Sequence, residues 1–511
     1  MKSAIQAKSD RATSRRDRLS IGPASLALDS ATGISLYRQL YEQLRAAILD
    51  GRLQPGAKLP STRVLAEDLA VARNTVMGAY EQLLAEGYLE GETGSGTYVA
   101  RALPDKVLRA PAISRALTLP SRHARLSRRG EALARNPLGV RHDDTPRPFR
   151  PGIPAVKEFP FDIWNRLLMK HWRGHPVELL PYSTPAGYRP LREAIAEYAA
   201  AVRAVRCDAG QVVIVSGAQQ ALDLAARLLL DVGEEAWTED PGYGGARAAL
   251  LAAGVKPVAV PVDDAGLNVV AGQRLSPKAR LAYLTPSHQY PTGVVMTLAR
   301  RLELLRWAEH SRSWIVEDDY DSEYRYASRP VASLQGLDTK GCVIYCGTFS
   351  KVLFPALRLG YVIVPPQLVD GFVRAKAVVD RHSPTVEQAV LAEFIVGGHL
   401  ARHVRRMRML YMERQNALLE ALQRELAGAV EVHSHEAGMH VLAWLAKGVL
   451  DSVISRRARE VGVEAPALTT YRARPGGRGG LVLGYAAYSE EEIREGVKRL
   501  AQVMERVARE L

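Results

Sequence analysis

Cysteine is scarce, with three residues in 511: Cys207, Cys342 and Cys346. No Cys-x-x-Cys pair accompanies them, so neither a disulfide framework nor a zinc-finger scaffold is readable. Cys342 and Cys346 flank the apolar run Val343–Tyr345, which makes them small core residues of a strand. His433, His435 and His440 come nearest to a metal-ligand set, but Gly438-Met439-His440-Val441-Leu442-Ala443-Trp444 reads as one alternating strand, and no metal is expected. No apolar run approaches the roughly 18 residues of a membrane helix. Met1–Ser20 is polar and charged, without the apolar stretch of a secretory signal. The reading is a cytoplasmic protein without a membrane partner. No internal repeat is visible.

What is present is a globular composition, 47% hydrophobic and 24% charged, in a chain too long for one core. A small domain and a much larger one are expected. The net charge of +13 points to a polyanionic partner, but its placement matters more than its sum. Residues 34–100 carry six Lys/Arg against eight Asp/Glu, whereas 101–150 carry twelve against four. The excess lies in a stretch holding prolines 104, 111, 120, 137, 146 and 148, which reads as a basic linker.

Residues 1–33 read as a mobile arm. A helix begins at Ser35, with Leu36, Leu40, Leu44 and Ile48 recurring every fourth residue and Gly51 at its end. Ser61 is an N-cap for a short helix through Val64, Leu65 and Leu69. A turn at Val71–Ala72 leads to a helix over 74–85, with Val76, Tyr80, Leu83 and Leu84 on one face. Tyr88–Glu90 and Gly96–Val99, separated by Glu92-Thr93-Gly94-Ser95, supply the paired strands of a wing. Two tandem helices and a wing make a helix-turn-helix. Arg73, Asn74 and Thr75 open its second helix, where side chains and free N–H groups face groove edges or phosphates, while Ser61 and Arg63 position the backbone. Gly94, Ser95 and Gly96 form the tight wing. The competing structural roles are caps at Ser61 and Thr75 and an Arg63–Asp68 pair.

Over 34–100 the chain resembles the winged helix of GntR-type regulators. The stretches that carry the resemblance are Leu53-Gln54-Pro55-Gly56-Ala57-Lys58-Leu59-Pro60-Ser61-Thr62-Arg63, Arg73-Asn74-Thr75-Val76, Glu86-Gly87-Tyr88-Leu89 and Gly94-Ser95-Gly96-Thr97-Tyr98-Val99. It implies binding to double-stranded operator DNA.

From about residue 151 to 511, short apolar strands alternate with helices, which predicts an α/β domain with a mostly parallel sheet. Strand Gln211–Val215, turn Ser216-Gly217-Ala218 and helix Gln219–Leu230 aim backbone N–H groups at an anion. The run Trp314-Ile315-Val316-Glu317-Asp318-Asp319-Tyr320 ends a buried strand in carboxylates, which need a cationic partner to stay charged. Val343–Gly347 leads into Thr348-Phe349-Ser350-Lys351, and Arg358 follows. A lysine and an arginine beside a phosphate cradle point to covalent capture of an aldehyde cofactor.

Together with Tyr182-Ser183-Thr184-Pro185-Ala186-Gly187-Tyr188, Asp240-Pro241-Gly242-Tyr243 and His288-Gln289-Tyr290-Pro291-Thr292-Gly293, these motifs resemble the fold-type I aminotransferases. Combined with the N-terminal domain they resemble the MocR-type subfamily of GntR regulators. The resemblance implies pyridoxal 5′-phosphate (PLP) as cofactor, held as a Schiff base on Lys351. Asp318 would pair with the pyridinium nitrogen, Tyr320 would bond the ring hydroxyl and Tyr243 would stack on the ring. Ser216, Gly217, Ala218, Thr348, Ser350 and Arg358 would surround the phosphate, with His288 and Gln289 near the ring. A head-to-tail, domain-swapped homodimer is also implied.

Two positions depart from the family. Val482 stands where aminotransferases carry the arginine for the substrate carboxylate, and Gly245 where some amino-acid sensors carry another. Arg472, Arg474 and Arg478 are possible substitutes. Cofactor anchors without a carboxylate clamp fit a PLP sensor resembling the pyridoxine-pathway regulators of the PdxR type, with at most weak transaminase activity. The alternatives left open are an amino-acid or amine effector exchanging on PLP, a working aminotransferase with a vestigial DNA-binding domain, and a DNA-binding protein with an empty structural domain.

Overall fold

The computed structural model describes residues 26–92, 96–103, 126–134, 147–174, 177–326, 332–433, 437–474 and 476–510. Contacts group the chain into two compact units, 1–125 and 126–511.

In the first unit, α1 (Leu36–Leu49) packs Leu40, Leu44, Ala47 and Ile48 inward. Asp50 is its C-cap, and Gly51 follows at φ +77°, a conformation that favours glycine. Ser61 caps α2 (Thr62–Asp68), its Oγ accepting from the Val64 amide at 3.3 Å. The turn before α3 (Arg73–Ala85) places Ala70 at φ +52°. Val76, Ala79, Tyr80 and Leu83 of α3 close a core with Leu65 and Tyr88, and the Tyr80 hydroxyl donates to the Pro60 carbonyl at 3.0 Å. Strands β1 (Leu89–Glu92) and β2 (Gly96–Val99) pair antiparallel from Leu89↔Val99 to Glu92↔Gly96.

Several details differ from the sequence reading. Ala72, not Thr75, is the α3 N-cap residue, without a side-chain cap bond; Thr75 lies inside the helix. Arg63 pairs with Glu67 (3.1 Å), one full turn along, rather than Asp68. Leu84 and Val64 are exposed because the inward face of each short helix is narrower than its apolar pattern.

The second unit is built on an eight-stranded sheet ordered β3-β10-β9-β8-β7-β4-β5-β6. In chain order the strands are β3 (Val212–Val215), β4 (Glu235–Asp240), β5 (Lys256–Asp263), β6 (Gly266–Leu267), β7 (Leu281–Leu284), β8 (Trp314–Asp319), β9 (Val343–Thr348) and β10 (Gly360–Ile363). The central strands β5, β4, β7, β8 and β9 are parallel, whereas β3, β10 and β6 join antiparallel. Helices cover both faces, so β3, β7 and β9 are buried along their whole length and read as continuous apolar runs.

A second, three-stranded antiparallel sheet follows: β11 (Val430–Val432), β12 (His440–Leu445) and β13 (Gly480–Gly484). β12 is buried on both faces rather than alternating. Within the stretch read as linker, Arg128–Ala134 is helical, and Phe149 is fully buried and bridges to Gly484.

Candidate cofactor and DNA sites

In the large unit, strand ends and turns converge on one cavity of about 210 Å³. β9 delivers Thr348, Ser350 and Lys351, while the parallel neighbour β8 delivers Asp318 in register with Cys346. Opposite them lie Gly217 and Ala218, at the start of the helix Ala218–Leu229, and Tyr243, at the start of the helix Gly244–Ala253. Gly217 has φ +120°, and a Cβ there would stand 3.3 Å from Arg358 Nη2. The chain thus presents bare backbone to the guanidinium at a helix N-terminus, an arrangement suited to a phosphate.

Burial sets the charges. Lys351 is pushed below the usual lysine range by desolvation, which outweighs the pull of Asp321 and Asp318. Its Nζ donates to the Gly152 carbonyl at 2.7 Å. Asp318 is raised to about 7, chiefly by burial, although the Tyr283 hydroxyl donates to its Oδ2 at 2.8 Å. Asp318 Oδ1 and Ser350 Oγ are buried without a hydrogen-bond partner. Glu239 is likewise raised to about 7 by burial; its Oε2 accepts from the Thr285 hydroxyl at 2.7 Å.

Of the residues singled out in the sequence, Lys351, Asp318, Tyr320, Tyr243, Gly217, Ala218, Thr348, Ser350 and Arg358 line this cavity. Three do not. The Ser216 amide and hydroxyl both donate to Gln220 Oε1, at 2.8 and 3.2 Å. Gln289 spends its amide on the carbonyls of Pro241 and Tyr290. His288 stands one step behind, its Nδ1 3.0 Å from the Tyr320 hydroxyl and 2.9 Å from Asp321 Oδ2.

The sequence reading overlooked Pro151, Gly152, Gln219, Tyr283, Thr285, Tyr290, Met439 and His440, which also line the cavity. Tyr290 shares a motif with His288 and Gln289, and Gln219 directly follows Ala218, so both were within reach; the others depend on which strands and loops the fold brings together. Among the described residues, one group has the composition of a metal site: His288, Asp321 and His440, all buried. His433 is exposed beside Glu431 instead, and His435 lies outside the described residues.

On the first unit, Ser61, Arg63, Arg73, Asn74 and Gly96 are exposed and Thr75 is half-buried. Arg73 Nε reaches the Thr62 hydroxyl at 3.5 Å, across the turn between the two helices. Gly94 and Ser95 lie outside the described residues.

Residues 36–99 match the family of bacterial regulatory proteins named gntR, and residues 165–500 match aminotransferase class I and II. The chain is 45% identical over 475 residues to the probable rhizopine catabolism regulatory protein MocR of Rhizobium meliloti, covering 93% of this chain and 95% of that one. It is 29% identical to the pyridoxine biosynthesis transcriptional regulator PdxR of Corynebacterium glutamicum, covering 92% and 96%. Its large unit resembles the solved structure of LysN, the α-aminoadipate aminotransferase of Thermus thermophilus, with TM-score 0.66 and 32% identity over 71% of this chain and 93% of that one. A winged helix followed by an aminotransferase fold, in one chain aligned nearly end to end with such regulators, makes this protein a member of the MocR-type subfamily of GntR transcription regulators.

Proposed function

We propose that this regulator binds PLP in the Lys351 cavity and operator DNA through its winged helix. The observation that carries the cofactor assignment is Asp318 Oδ1, a buried carboxylate oxygen without a partner, facing the same cavity as a lysine below its usual pKa. A protonated pyridine nitrogen would meet that carboxylate and offset its desolvation. Arg358, Ser350, Thr348 and the backbone of Gly217 and Ala218 would hold the phosphate, Tyr243 would cover the ring, and Tyr320 would contact its hydroxyl. When bound, the cofactor supplies an aldehyde that condenses with primary amines. Lys351, less readily protonated than an exposed lysine, keeps the lone pair needed to hold that carbon.

DNA contact is assigned to Arg73, Asn74 and Thr75 at the N-terminus of α3, with Ser61, Arg63 and the wing residues Gly94, Ser95 and Gly96 against the backbone. We assign the functional state to a head-to-tail homodimer. Its support is the exposed apolar run Phe161, Trp172, Val177, Leu180 and Tyr182, the last 79% accessible. Sedimentation as a stable monomer with full operator binding would remove the dimer.

Under a second reading PLP itself is the signal and the regulated pathway makes vitamin B6. It is favoured by Val482, which leaves no carboxylate clamp, and by the likeness to PdxR. PLP must then bind the two DNA-affinity states unequally. Titrating operator affinity against PLP tests this; an unchanged dissociation constant excludes PLP as signal, and absence of a PLP chromophore in the purified protein excludes the cofactor assignment.

A further inference from the structure

We infer that Tyr283 is a positioning residue: its hydroxyl holds one oxygen of Asp318 so that the other is reserved, in its ionised form, for the protonated ring nitrogen of the cofactor. The inference rests on the cofactor assignment above and concerns the place where β7 lies beside β8.

Register brings the two side chains together. Tyr283 stands opposite Val316 in the parallel pair of β7 and β8, and Asp318, two residues further along β8, shares the face of Val316. A tyrosine is long enough to span that diagonal, and its hydroxyl reaches Asp318 Oδ2 at 2.8 Å. The ring is fully buried in a cluster with Ala225, Ala246, Leu250 and Val316. Phenylalanine would fill that space as well, so packing does not call for the oxygen. A hydroxyl taken into such a core costs free energy unless it is hydrogen-bonded, and the partner it has is Asp318.

The bond has a direction. Burial, and then Asp318, hold Tyr283 well above the usual phenol range, so the hydroxyl keeps its proton and donates it. Asp318 Oδ1 is buried without a hydrogen-bond partner among the described residues, and both side chains line the cavity. One oxygen is engaged and the other is left. Burial, Asp319 and Asp321 oppose ionisation of Asp318, while the Tyr283 bond and Lys351 favour it, the bond more than the lysine. A carboxylate with Oδ2 already bonded can meet a pyridinium at Oδ1 without rearranging. Deprived of the hydroxyl, it would face the ring nitrogen with Oδ2 unsatisfied in an apolar core, and its neutral form would gain.

The test uses full-length protein and two probes, PLP and its deaza analogue, in which a carbon replaces the ring nitrogen. Dissociation constants for both are measured by equilibrium dialysis. Tyr283→Phe removes only the oxygen; it should weaken PLP by about 10-fold or more and the analogue by less than about three-fold, so that the preference for PLP shrinks. Equal losses of both probes would make Tyr283 structural and overturn the inference. The isotope-labelled ring nitrogen of bound PLP should show a protonated NMR shift in the parent protein and move toward neutral pyridine in Tyr283→Phe; an unmoved shift also overturns it. On an Asp318→Asn background, Tyr283→Phe should add little further loss, whereas additive losses would mean that Tyr283 acts by another route. If Tyr283→Phe does not fold, a fluorinated tyrosine at position 283 keeps the ring and makes the hydroxyl a stronger donor. The preference for PLP should then rise, and an unchanged preference overturns the inference. A parent protein that takes up no PLP defeats the cofactor assignment, whereas PLP bound equally well by parent and Tyr283→Phe defeats this inference alone.

Discussion

The two units of this regulator treat their polar residues in opposite ways. On the winged helix, Arg63, Arg73 and Asn74 stand exposed, and Arg63 is tied only to a surface glutamate. In the large unit, Asp318, Thr348 and Ser350 are buried, and two of them keep atoms without a partner. An exposed cation gives up little when a polyanion arrives, so its contribution is modest and sensitive to salt. A buried carboxyl has already lost its water, so the ligand that supplies its partner gains more and is recognised more narrowly.

The sharpest break in that contrast is Lys351→Ala. It should abolish the bound chromophore and any borohydride-fixed adduct while leaving DNA binding by the winged helix measurable; an adduct still found at one site would move the lysine elsewhere. Next is pH. Asp318 and Glu239 are held near 7 in the folded protein, above the 3.8 and 4.5 of free carboxyls. Between about pH 4 and pH 7 these two groups therefore bind more protons folded than unfolded, so their contribution to the stability of the cofactor-free protein falls as pH rises, while His403, lowered to about 4 by burial, works in the opposite direction. Thermal melts from pH 5 to pH 8 check this. Asp318→Asn and Glu239→Gln should each flatten the slope, and PLP should stabilise most at the alkaline end.

Asp318→Asn should also weaken PLP retention by about 10- to 100-fold, the range of a lost charge-assisted hydrogen bond, measured by equilibrium dialysis. Arg73→Ala should cost about 1–3 kcal/mol of operator affinity and relax base preference, whereas Arg63→Ala should weaken all sequences evenly and lower the salt slope by about one. Equal behaviour of the two would erase the distinction between base and phosphate contact. Smallest is Ser61→Ala, about 1 kcal/mol of stability through the lost cap, read by denaturant unfolding.

The same contrast explains what the sequence revealed. Helices, wing and the Lys351 motif were legible because each is local: a cap, a period or a strand end followed by a turn. Tyr283 was not legible, since its bond to Asp318 exists only because β7 lies beside β8. Met439 and His440 are remote in sequence from Lys351 and reach the cavity through the second sheet. β12 misled because alternation was inferred from residue types, while packing on both faces buries all but Trp444, which is half-buried. The Arg63 partner was misassigned by one residue, a matter of helical geometry rather than tertiary context.

The bond from Lys351 to the carbonyl of Gly152 has a further consequence. An ammonium can offer that carbonyl any of three protons, whereas a nitrogen joined to the proposed cofactor's carbon would keep at most one, so binding would restrict how the lysine can hold the carbonyl. Gly152 lies three residues after Phe149, which is fully buried and bridged to Gly484. Linkage would make such a coupling mutual: whatever changes the hold of Gly152 on the lysine would change the affinity of the proposed cofactor by the same factor with which the cofactor changes that hold.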